Sequence, residues 1–233
     1  MTTPNKINIG LFGFGTVGQG VWQVLDRARN AHASISHICV RDLKKPRAVS
    51  VPEGLLTARA DDIFDDPSVN LIVELVDNAE ASYNIVTTAL RRGIPVVSGS
   101  KAMIARHLPE LIELQRAHDT ALLYDASSCG SIPVIRNLEE YYDNDLLLEV
   151  KGILNGSSNY ILSRVFDHGE SYADALRHAQ ELGFAESDPT FDIGGYDALF
   201  KLIIITVHAL GRFVPAEDVF TYGSQNIHEA DIV

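Results

Sequence analysis

The stretch INIGLFGFGTVG, residues 7–18, decides the fold of this chain of 233 residues. Its first half, Ile7–Phe12, is a short apolar run rich in strand-forming residues, and G-F-G-T-V-G follows directly. Beyond the glycines, Val21, Trp22 and Leu25 carry apolar side chains at helical spacing. A strand, a glycine-rich turn and a helix in this order predict the opening of a βαβ unit.

Strands and helices alternate from there to about residue 125. The further predicted strands are Ser34–Val40, Asn70–Val76, Ile94–Val97 and Ala121–Asp125. The predicted helices between them are Gly20–Arg29, Ala79–Arg92 and Ala102–His118. Such alternation is typical of an α/β fold with parallel strands and right-handed crossovers. The sequence therefore predicts a Rossmann-type doubly wound parallel sheet in a dinucleotide-binding domain over residues 1–130.

The pattern changes after about residue 130. Helices are predicted at Ile132–Tyr142, from the NGSS turn at 155–158 through Phe166, at Ser171–Leu182 and at Tyr196–Leu210. The apolar run LLLEVKGIL, Leu146–Leu154, predicts a strand among them. This mixture predicts a second, α+β domain over residues 131–233, for substrate binding and dimerisation.

The overall composition limits the partners of the chain. Its formal net charge is −12, whereas nucleic acids and anionic membranes are bound through basic patches, so neither is expected as a partner. No stretch approaches the roughly 20 apolar residues of a membrane span, and no signal-type region follows the N-terminus. The two cysteines, Cys39 and Cys129, form no CxxC pair, which argues against zinc and disulfide frameworks. We expect a cytoplasmic protein that acts on a small molecule.

The glycine-rich turn is the first candidate binding site. Gly13 permits a tight turn, Gly15 a close approach to a pyrophosphate, and Gly18 close packing of the helix on the strand. The helix start supplies free N–H groups and a partial positive charge. These features predict a dinucleotide site at Gly13, Phe14, Gly15, Thr16, Val17 and Gly18. The alternative is a glycine turn with a structural role only.

The end of the second predicted strand bears on which dinucleotide is bound. An acidic residue there binds the ribose 2′-OH of NAD, whereas an arginine suits the 2′-phosphate of NADP. Arg41 comes first, Asp42 follows, and three more cations lie between there and Arg47. We predict NADP through Arg41. NAD remains possible through Asp42, and a solvated charged loop is the third interpretation.

Asp197 and Lys201 are four residues apart on the last predicted helix, so they share one face. The loop before this helix carries three carboxylates, at Glu186, Asp188 and Asp192. Such an arrangement could hold an amino group and transfer a proton through the lysine. The alternative is an ordinary ion pair on a solvated helix surface. Lys101 is a second cationic candidate, because it follows the strand Ile94–Val97 whose carboxyl end faces the ligand crevice of this fold. The alternative is a lysine that only begins a helix.

Five stretches together resemble the homoserine dehydrogenases over nearly the whole chain. They are GLFGFGTVGQGV (10–21), VVSGSKAMIA (96–105), DASSCGSIPVIRNL (125–138), GILNGSSNYIL (152–162) and AQELGFAESDPTFDIGGYDALFKL (179–202). The resemblance implies an oxidoreductase of threonine and methionine biosynthesis that reversibly reduces L-aspartate 4-semialdehyde to L-homoserine with NAD(P). It also implies a homodimer or higher homo-oligomer.

The resemblance implies a role for each matched residue. Lys201 would exchange a proton with the aldehyde oxygen, with Asp197 and Lys101 as further catalytic residues. The residues expected to bind the substrate are Glu186, Asp192 and Asp197. Ser100 and Lys101 would extend the cofactor site. The backbone carbonyls expected to hold a monovalent cation, such as sodium, are those of Asp125, Ser128, Gly130 and Ile132.

Several residues differ from the family pattern. Ser100 stands where the family has Asn, Asp125 where it has Glu, and Asp77-Asn78 where it has Gly-Gly, so that Asp77 would bring a negative charge near the nicotinamide. Relatives continue past Tyr222-Gly223 with a strand and helices, so the second domain is expected to be C-terminally short, with an exposed apolar face. The alternatives to an active enzyme are a non-catalytic dinucleotide-binding module or truncated inactive homologue. A third reading is an amino-acid dehydrogenase of another substrate, such as aspartate.

Overall fold

The computed structural model describes residues 6–28, 32–142, 144 and 146–227. The chain divides into two compact units, Met1–Ser127 and Ser128–Val233. This division lies close to the boundary predicted after residue 130. None of the helices in the described ranges is long and apolar enough to cross a membrane.

A parallel sheet forms the centre of the first unit. Its six strands are β1 (Ile7–Phe12), β2 (Ala33–Cys39), β3 (Leu56–Thr57), β4 (Leu71–Glu74), β5 (Val96–Ser98) and β6 (Leu122–Leu123). They lie in the order β3-β2-β1-β4-β5-β6, and every neighbouring pair is parallel. The strand order reverses between β1 and β4, which is where this class of fold binds its ligands. The predicted Rossmann-type α/β fold is confirmed.

Helices connect the strands of this sheet. They are α1 (Thr16–Ala28), α2 (Asp61–Phe64), α3 (Ala79–Arg91) and α4 (Lys101–Ala117), and a short α5 (Asp125–Cys129) follows β6. Asn78 begins α3, because its Oδ1 accepts a hydrogen bond from the backbone N–H of Ala81 at 2.9 Å. Asn78 of the Asp77-Asn78 pair therefore supplies a helix cap.

The register of the strands lines up their carboxyl ends. Phe12 on β1 is paired with Cys39 on β2 and with Glu74 on β4, and Glu74 is paired with Ser98 on β5. Fully buried strand residues behind this row fix the sheet in the core, among them Leu11, Ile38, Ile72 and Val96. The glycine turn and the loops after β2, β4 and β5 consequently leave the sheet at one edge.

Within its described residues, the regular secondary structure of the second unit is all helical. After α5 its helices are α6 (Val134–Tyr141), α7 (Gly156–His168), α8 (Tyr172–Glu181), α9 (Thr190–Ile193) and α10 (Tyr196–Leu210). Two short 3₁₀ helices follow, Ala216–Asp218 and Ser224–Asn226. The helices α7 and α8 pack against each other through a buried cluster of Ile161, Ala175, Ala179 and Ala185.

The strand predicted at Leu146–Leu154 is not formed. The described residues of this segment adopt no regular secondary structure, and Leu146 and Leu148 are 86% and 87% exposed. Beta-forming side chains alone do not make a strand, because its backbone groups need a neighbouring strand to bond. Within residues 128–142, 144 and 146–227 no such neighbour is present. The prediction of a strand in this half was therefore wrong for the described residues.

Candidate active site

The glycine turn leads from β1 into α1. Gly13 has a φ of 94°, and a Cβ built on it would lie 2.4 Å from the carbonyl oxygen of Leu75. A Cβ on Gly18 would lie 2.3 Å from the carbonyl oxygen of Gly13, whereas a Cβ on Gly15 would meet nothing within 4 Å. The protein's own backbone thus requires glycine at positions 13 and 18. Gly15 instead borders an open cradle, which a Cβ would enter.

The start of α1 suits an anion. The first turn of α1 carries no acidic side chain, so the partial positive charge of the helix end is not compensated there. Its first N–H groups have no partner within the helix. A pyrophosphate fits such a cradle because it accepts hydrogen bonds from these groups without a Cβ between them. The residues present at the turn therefore fit the predicted dinucleotide.

The charged loop after β2 is held by its own contacts. Asp42 Oδ1 accepts a hydrogen bond from the N–H of Lys44 at 2.8 Å, and Arg47 Nη2 donates to the carbonyl oxygen of Asp42 at 2.7 Å. Gln19 of α1 accepts from the N–H of Val49 at 3.0 Å, which ties the loop to the helix of the glycine turn. The carboxylate of Asp42 thus stabilises the loop itself, while Arg41 is exposed.

A buried carboxylate, Glu74, ends β4 and was not predicted as a site residue. It is 0% exposed. Its Oε1 accepts from the N–H of Val76 at 2.6 Å and its Oε2 from Ser98 Oγ at 2.6 Å, while Ser98 Oγ accepts from the N–H of Ser100 at 3.1 Å. Glu74 therefore links the loop after β4 to the segment that leads into Lys101. The only signal in the sequence is an acidic residue inside the apolar run NLIVELV.

Glu74 predicts a pH dependence of stability. Burial raises the pKa of the Glu74 carboxyl, although the hydrogen bonds from Ser98 and Val76 oppose the shift. The folded chain then holds this proton to a higher pH than the unfolded chain, so the free energy of unfolding falls as pH rises from the ordinary pKa through the raised one. Glu74→Gln does not titrate, and we expect the wild type to lose stability relative to it as the pH rises above the ordinary carboxyl pKa of 4.5.

Thermal unfolding at a series of pH values measures this difference. Glu53→Gln is the matched control, since it removes an exposed carboxylate from the same unit. A difference in Tm between wild type and Glu74→Gln that stays constant over the whole range would contradict the prediction.

In the second unit, hydrogen bonds join three of the predicted site residues. Lys201 Nζ lies 2.7 Å from Asp197 Oδ2 and 2.5 Å from the carbonyl oxygen of Leu154. Asn155 Nδ2 donates to Asp197 Oδ2 at 3.0 Å and to Asp192 Oδ1 at 2.9 Å. Lys201, Asp197, Asn155 and Asp192 thus form one connected polar network.

The Asp197–Lys201 pair is buried. The two side chains are 3% and 14% exposed, so the alternative of a solvated surface pair was wrong. Asp197 also lies in the first turn of α10, where the helix dipole stabilises a negative charge. Removing one partner of such a pair costs about 3–5 kcal/mol, because the other charge is left buried and unpaired. Buried charges arranged in this way are typical of active sites.

Two members of the network, Asn155 and Ser157, were missed as site residues. Asn155 caps α7, since its Oδ1 accepts from the N–H of Ser158 at 2.7 Å. Ser157 Oγ lies 2.9 Å from Asp192 Oδ2 and 2.6 Å from the carbonyl oxygen of Phe184, and it donates its one hydrogen to either oxygen. Both residues belong to the NGSS turn, which the sequence marks as a helix start but not as a partner of α10.

Two family models match the chain. The first, described as the NAD binding domain of homoserine dehydrogenase, matches residues 13–125, and the second, described as homoserine dehydrogenase, matches residues 133–233. The chain belongs to the homoserine dehydrogenase family. Its first unit accordingly carries the family's NAD-binding domain.

Individual members of the family are similar to this chain in sequence and in structure. The chain is 34% identical to the homoserine dehydrogenase of Bacillus subtilis over 97% of its own length and 54% of that relative. A crystal structure of the enzyme from Thiobacillus denitrificans is 36% identical, with a TM-score of 0.84 over 95% of this chain and 53% of that one. A candidate homoserine dehydrogenase from Archaeoglobus fulgidus is 31% identical, with a TM-score of 0.83 over 97% and 75%. The chain spans about half the length of the curated relatives it matches.

The remaining predicted residues of this family member lie outside the network. Glu186 is exposed, and only its backbone carbonyl is engaged, by Gln180 Nε2 at 3.0 Å. Asp188 accepts from the hydroxyl of Thr190 at 2.6 Å, and the hydrogen bonds from Thr190 lower the pKa of this carboxyl. Lys101 begins α4 in the first unit. The substrate-binding role of Glu186 and the role of Lys101 stay predictions.

The predicted cation site has mixed support. Asp125 Oδ1 and Ser128 Oγ are buried side-chain oxygens without a hydrogen-bond partner, which suits ligation by oxygen. The carbonyl oxygen of Ile132, in contrast, already accepts a hydrogen bond from the N–H of Val134 at 2.8 Å. The backbone of Gly130 is left-handed, with a φ of 59°. In the described part of the chain no three His, Cys, Asp or Glu side chains cluster as metal ligands would. Ligation by carbonyl oxygens stays a prediction.

A cavity of about 240 Å³ opens beside α10. Leu154, Ala198 and Leu202 are among its lining residues, and none of the residues that line it is charged. Without a charged side chain in its walls, the cavity does not match a zwitterionic amino acid. Neither Asp197 nor Lys201 is among its lining residues.

Proposed function

We propose that this chain carries out the NAD(P)-dependent reduction of L-aspartate 4-semialdehyde to L-homoserine, and the reverse reaction. The observation that carries this proposal is the buried Lys201–Asp197 pair with its extension through Asn155 to Asp192. A lysine held by a buried carboxylate is a proton donor at a fixed position. Membership of the family supports the same reaction.

The charges of the network support an amino-acid substrate. Asp192 and Asp197 carry two negative charges, and Lys201 carries one positive charge, so the network has a surplus of one negative charge. An α-ammonium group would compensate this surplus. Glu186 is proposed to contribute a further carboxylate to the same substrate.

The protein's own contribution to the reaction is the handling of a proton. A reduced nicotinamide, when bound, supplies a hydride to the aldehyde carbon. Lys201 donates a proton to the aldehyde oxygen as negative charge develops there. Two hydrogens of the ammonium group point to Asp197 Oδ2 and the carbonyl oxygen of Leu154, which leaves the third for the substrate. Solvent restores the proton, since the side chain is 14% exposed. In the reverse direction the neutral amine accepts the proton from the alcohol.

We further propose NADP as the preferred cofactor. The carboxylate of Asp42 is engaged by the N–H of Lys44, whereas Arg41 is exposed at the loop after β2 and can pair with a 2′-phosphate. Arg41→Ser is therefore expected to raise the KM for NADPH about tenfold and to leave that for NADH unchanged. Steady-state kinetics with both cofactors measures this change. Arg59→Ser, which removes an exposed arginine paired with Asp62, is the matched control.

If the ratio of the KM for NADPH to the KM for NADH is the same in Arg41→Ser as in the wild type, the loop after β2 is only a solvated charged segment.

The cation, the oligomer and the location belong to the same proposal. The orphan oxygens of Asp125 and Ser128 support a monovalent cation near them. The exposed apolar side chains of Leu146, Leu148 and Phe220 support self-association, because an interface would remove them from water. We propose a homodimer or higher homo-oligomer in the cytoplasm.

The test of the proposed function is direct. The full chain is mixed with NADPH and a sodium salt, and L-aspartate 4-semialdehyde is added while NADPH oxidation is followed. We expect oxidation that depends on the aldehyde, with L-homoserine as the product by mass spectrometry. Tight NADPH binding without turnover would contradict the proposal and favour a non-catalytic dinucleotide-binding module.

A further inference from the structure

We infer that Asn155 is the positioning residue of this site: its side-chain amide holds Asp192 and Asp197 at a fixed separation and aims Asp197 at Lys201. The inference rests on the proposed function and adds a residue to it. The four groups come from the start of α7, from α9 and from α10. Asn155 itself is 8% exposed, so it acts from within the protein.

The orientation of the Asn155 amide follows from its partners. Its Oδ1 accepts from the N–H of Ser158, and its Nδ2 donates one hydrogen to each of two carboxylates. A flipped amide would place Nδ2 against the N–H of Ser158 and an oxygen against Asp192 and Asp197. Every donor of the amide is thus used on a carboxylate.

A neutral donor is what two neighbouring carboxylates require. Asp192 and Asp197 both approach a single nitrogen, so their charges repel in a buried environment of low dielectric. Asn155 reduces this repulsion without adding charge. Since Asp197 Oδ2 is shared between Asn155 and Lys201 Nζ, the amide also restrains the carboxylate that holds the lysine.

Asn155→Asp tests this role while keeping the helix cap. The new carboxylate still accepts from the N–H of Ser158, but it donates nothing and adds a third negative charge. We expect kcat at about pH 8 to fall about 100-fold, with the KM for NADPH unchanged, because a small displacement of a catalytic group has effects of this size. The charged groups that face position 155 are Asp192 on α9 and Asp197 and Lys201 on α10.

Lowering the pH should restore part of the activity of Asn155→Asp. Three crowded carboxylates hold a proton to higher pH than two, and a protonated carboxyl donates a hydrogen bond again. We therefore expect kcat of Asn155→Asp to rise relative to wild type as the pH is lowered to about 6. A purely structural defect would not follow pH in this way. Asn155→Ala, which removes the cap and both donors, should lose activity at every pH.

Ser171→Ala is the matched control. Ser171 caps α8 in the same unit, its Oγ accepting from the N–H of Asp174 at 3.2 Å, and it is no part of the network. It should lower Tm by about 4 °C and leave kcat and its pH profile unchanged.

Thermal unfolding without substrate separates the inference from the proposed function. The Tm deficit of Asn155→Asp relative to wild type should grow as pH rises. If Asn155→Asp is unfolded at pH 8 and refolds when the pH is lowered to 6, that result would also support the inference. A wild-type kcat and pH profile in Asn155→Asp, or a Tm deficit independent of pH, would overturn the inference. Absence of turnover in the wild type would contradict the proposed function instead, and the Tm series alone would then decide whether Asn155 bridges the carboxylates.

Discussion

Lys201→Arg is expected to lower kcat for the reduction of L-aspartate 4-semialdehyde about 1,000-fold and to leave NADPH affinity unchanged. Arginine keeps the positive charge, so the pair with the buried Asp197 is retained. The guanidinium group does not release a proton near neutral pH, so the aldehyde oxygen receives none from it. Stopped-flow or steady-state kinetics gives kcat, and a fluorescence titration gives the affinity for NADPH.

Arginine is a sharper substitution here than alanine. Lys201→Ala also removes the proton donor, but it leaves Asp197 buried and unpaired, at a cost of about 3–5 kcal/mol in stability. A loss of activity in that variant would mix two causes. Lys151→Arg is the matched control, because Lys151 is an exposed lysine of the same unit that pairs with Glu149 at 2.9 Å. Turnover retained in Lys201→Arg would show that another group protonates the oxygen.

The sheet of the first unit was predictable because its signals are local. Strands β1, β2, β4 and β5 are short runs rich in strand-forming residues and bounded by turns, and the predicted strands lie within a few residues of them. Strand β3, in contrast, is only Leu56–Thr57, and it exists because it pairs with Ile38 and Cys39 of β2. A pairing between distant segments leaves no periodic pattern in a single sequence. The strand predicted at 146–154 is the opposite case. Its sequence has a strand-like pattern, but the described residues offer no partner strand.

The candidate site, too, could be predicted from the sequence only where its signals are local. The four-residue spacing of Asp197 and Lys201 placed them on one face of a helix, but it did not reveal that this face is buried. Asn155 lies 37 and 42 residues from its two carboxylate partners, so only the packing of α7 against the later helices makes it a site residue. Asn155 reads locally as a helix cap, and it is one. Its second role depends on tertiary contacts.

Gly15→Ala is expected to raise the Kd for NADPH about 100-fold while the chain folds as before. A Cβ at this position meets no protein atom within 4 Å, and φ there is not positive, so the native backbone tolerates alanine. The same Cβ projects into the cradle at the start of α1, where a pyrophosphate must approach the backbone closely. Isothermal titration gives the Kd and thermal unfolding gives the stability.

Two neighbouring glycines make this prediction specific. Gly20 lies inside α1 and is equally open, so Gly20→Ala should stabilise the helix by about 0.5–1 kcal/mol and leave NADPH affinity unchanged. Gly13→Ala should instead destabilise the fold, because its φ is 94° and its Cβ would lie 2.4 Å from a backbone oxygen. If the glycine turn has a structural role only, Gly13→Ala should still destabilise the fold, but Gly15→Ala should not change the affinity for NADPH. Wild-type affinity in Gly15→Ala would therefore contradict the placement of the pyrophosphate, since the open side of Gly15 is the feature that distinguishes a binding cradle from a tight turn.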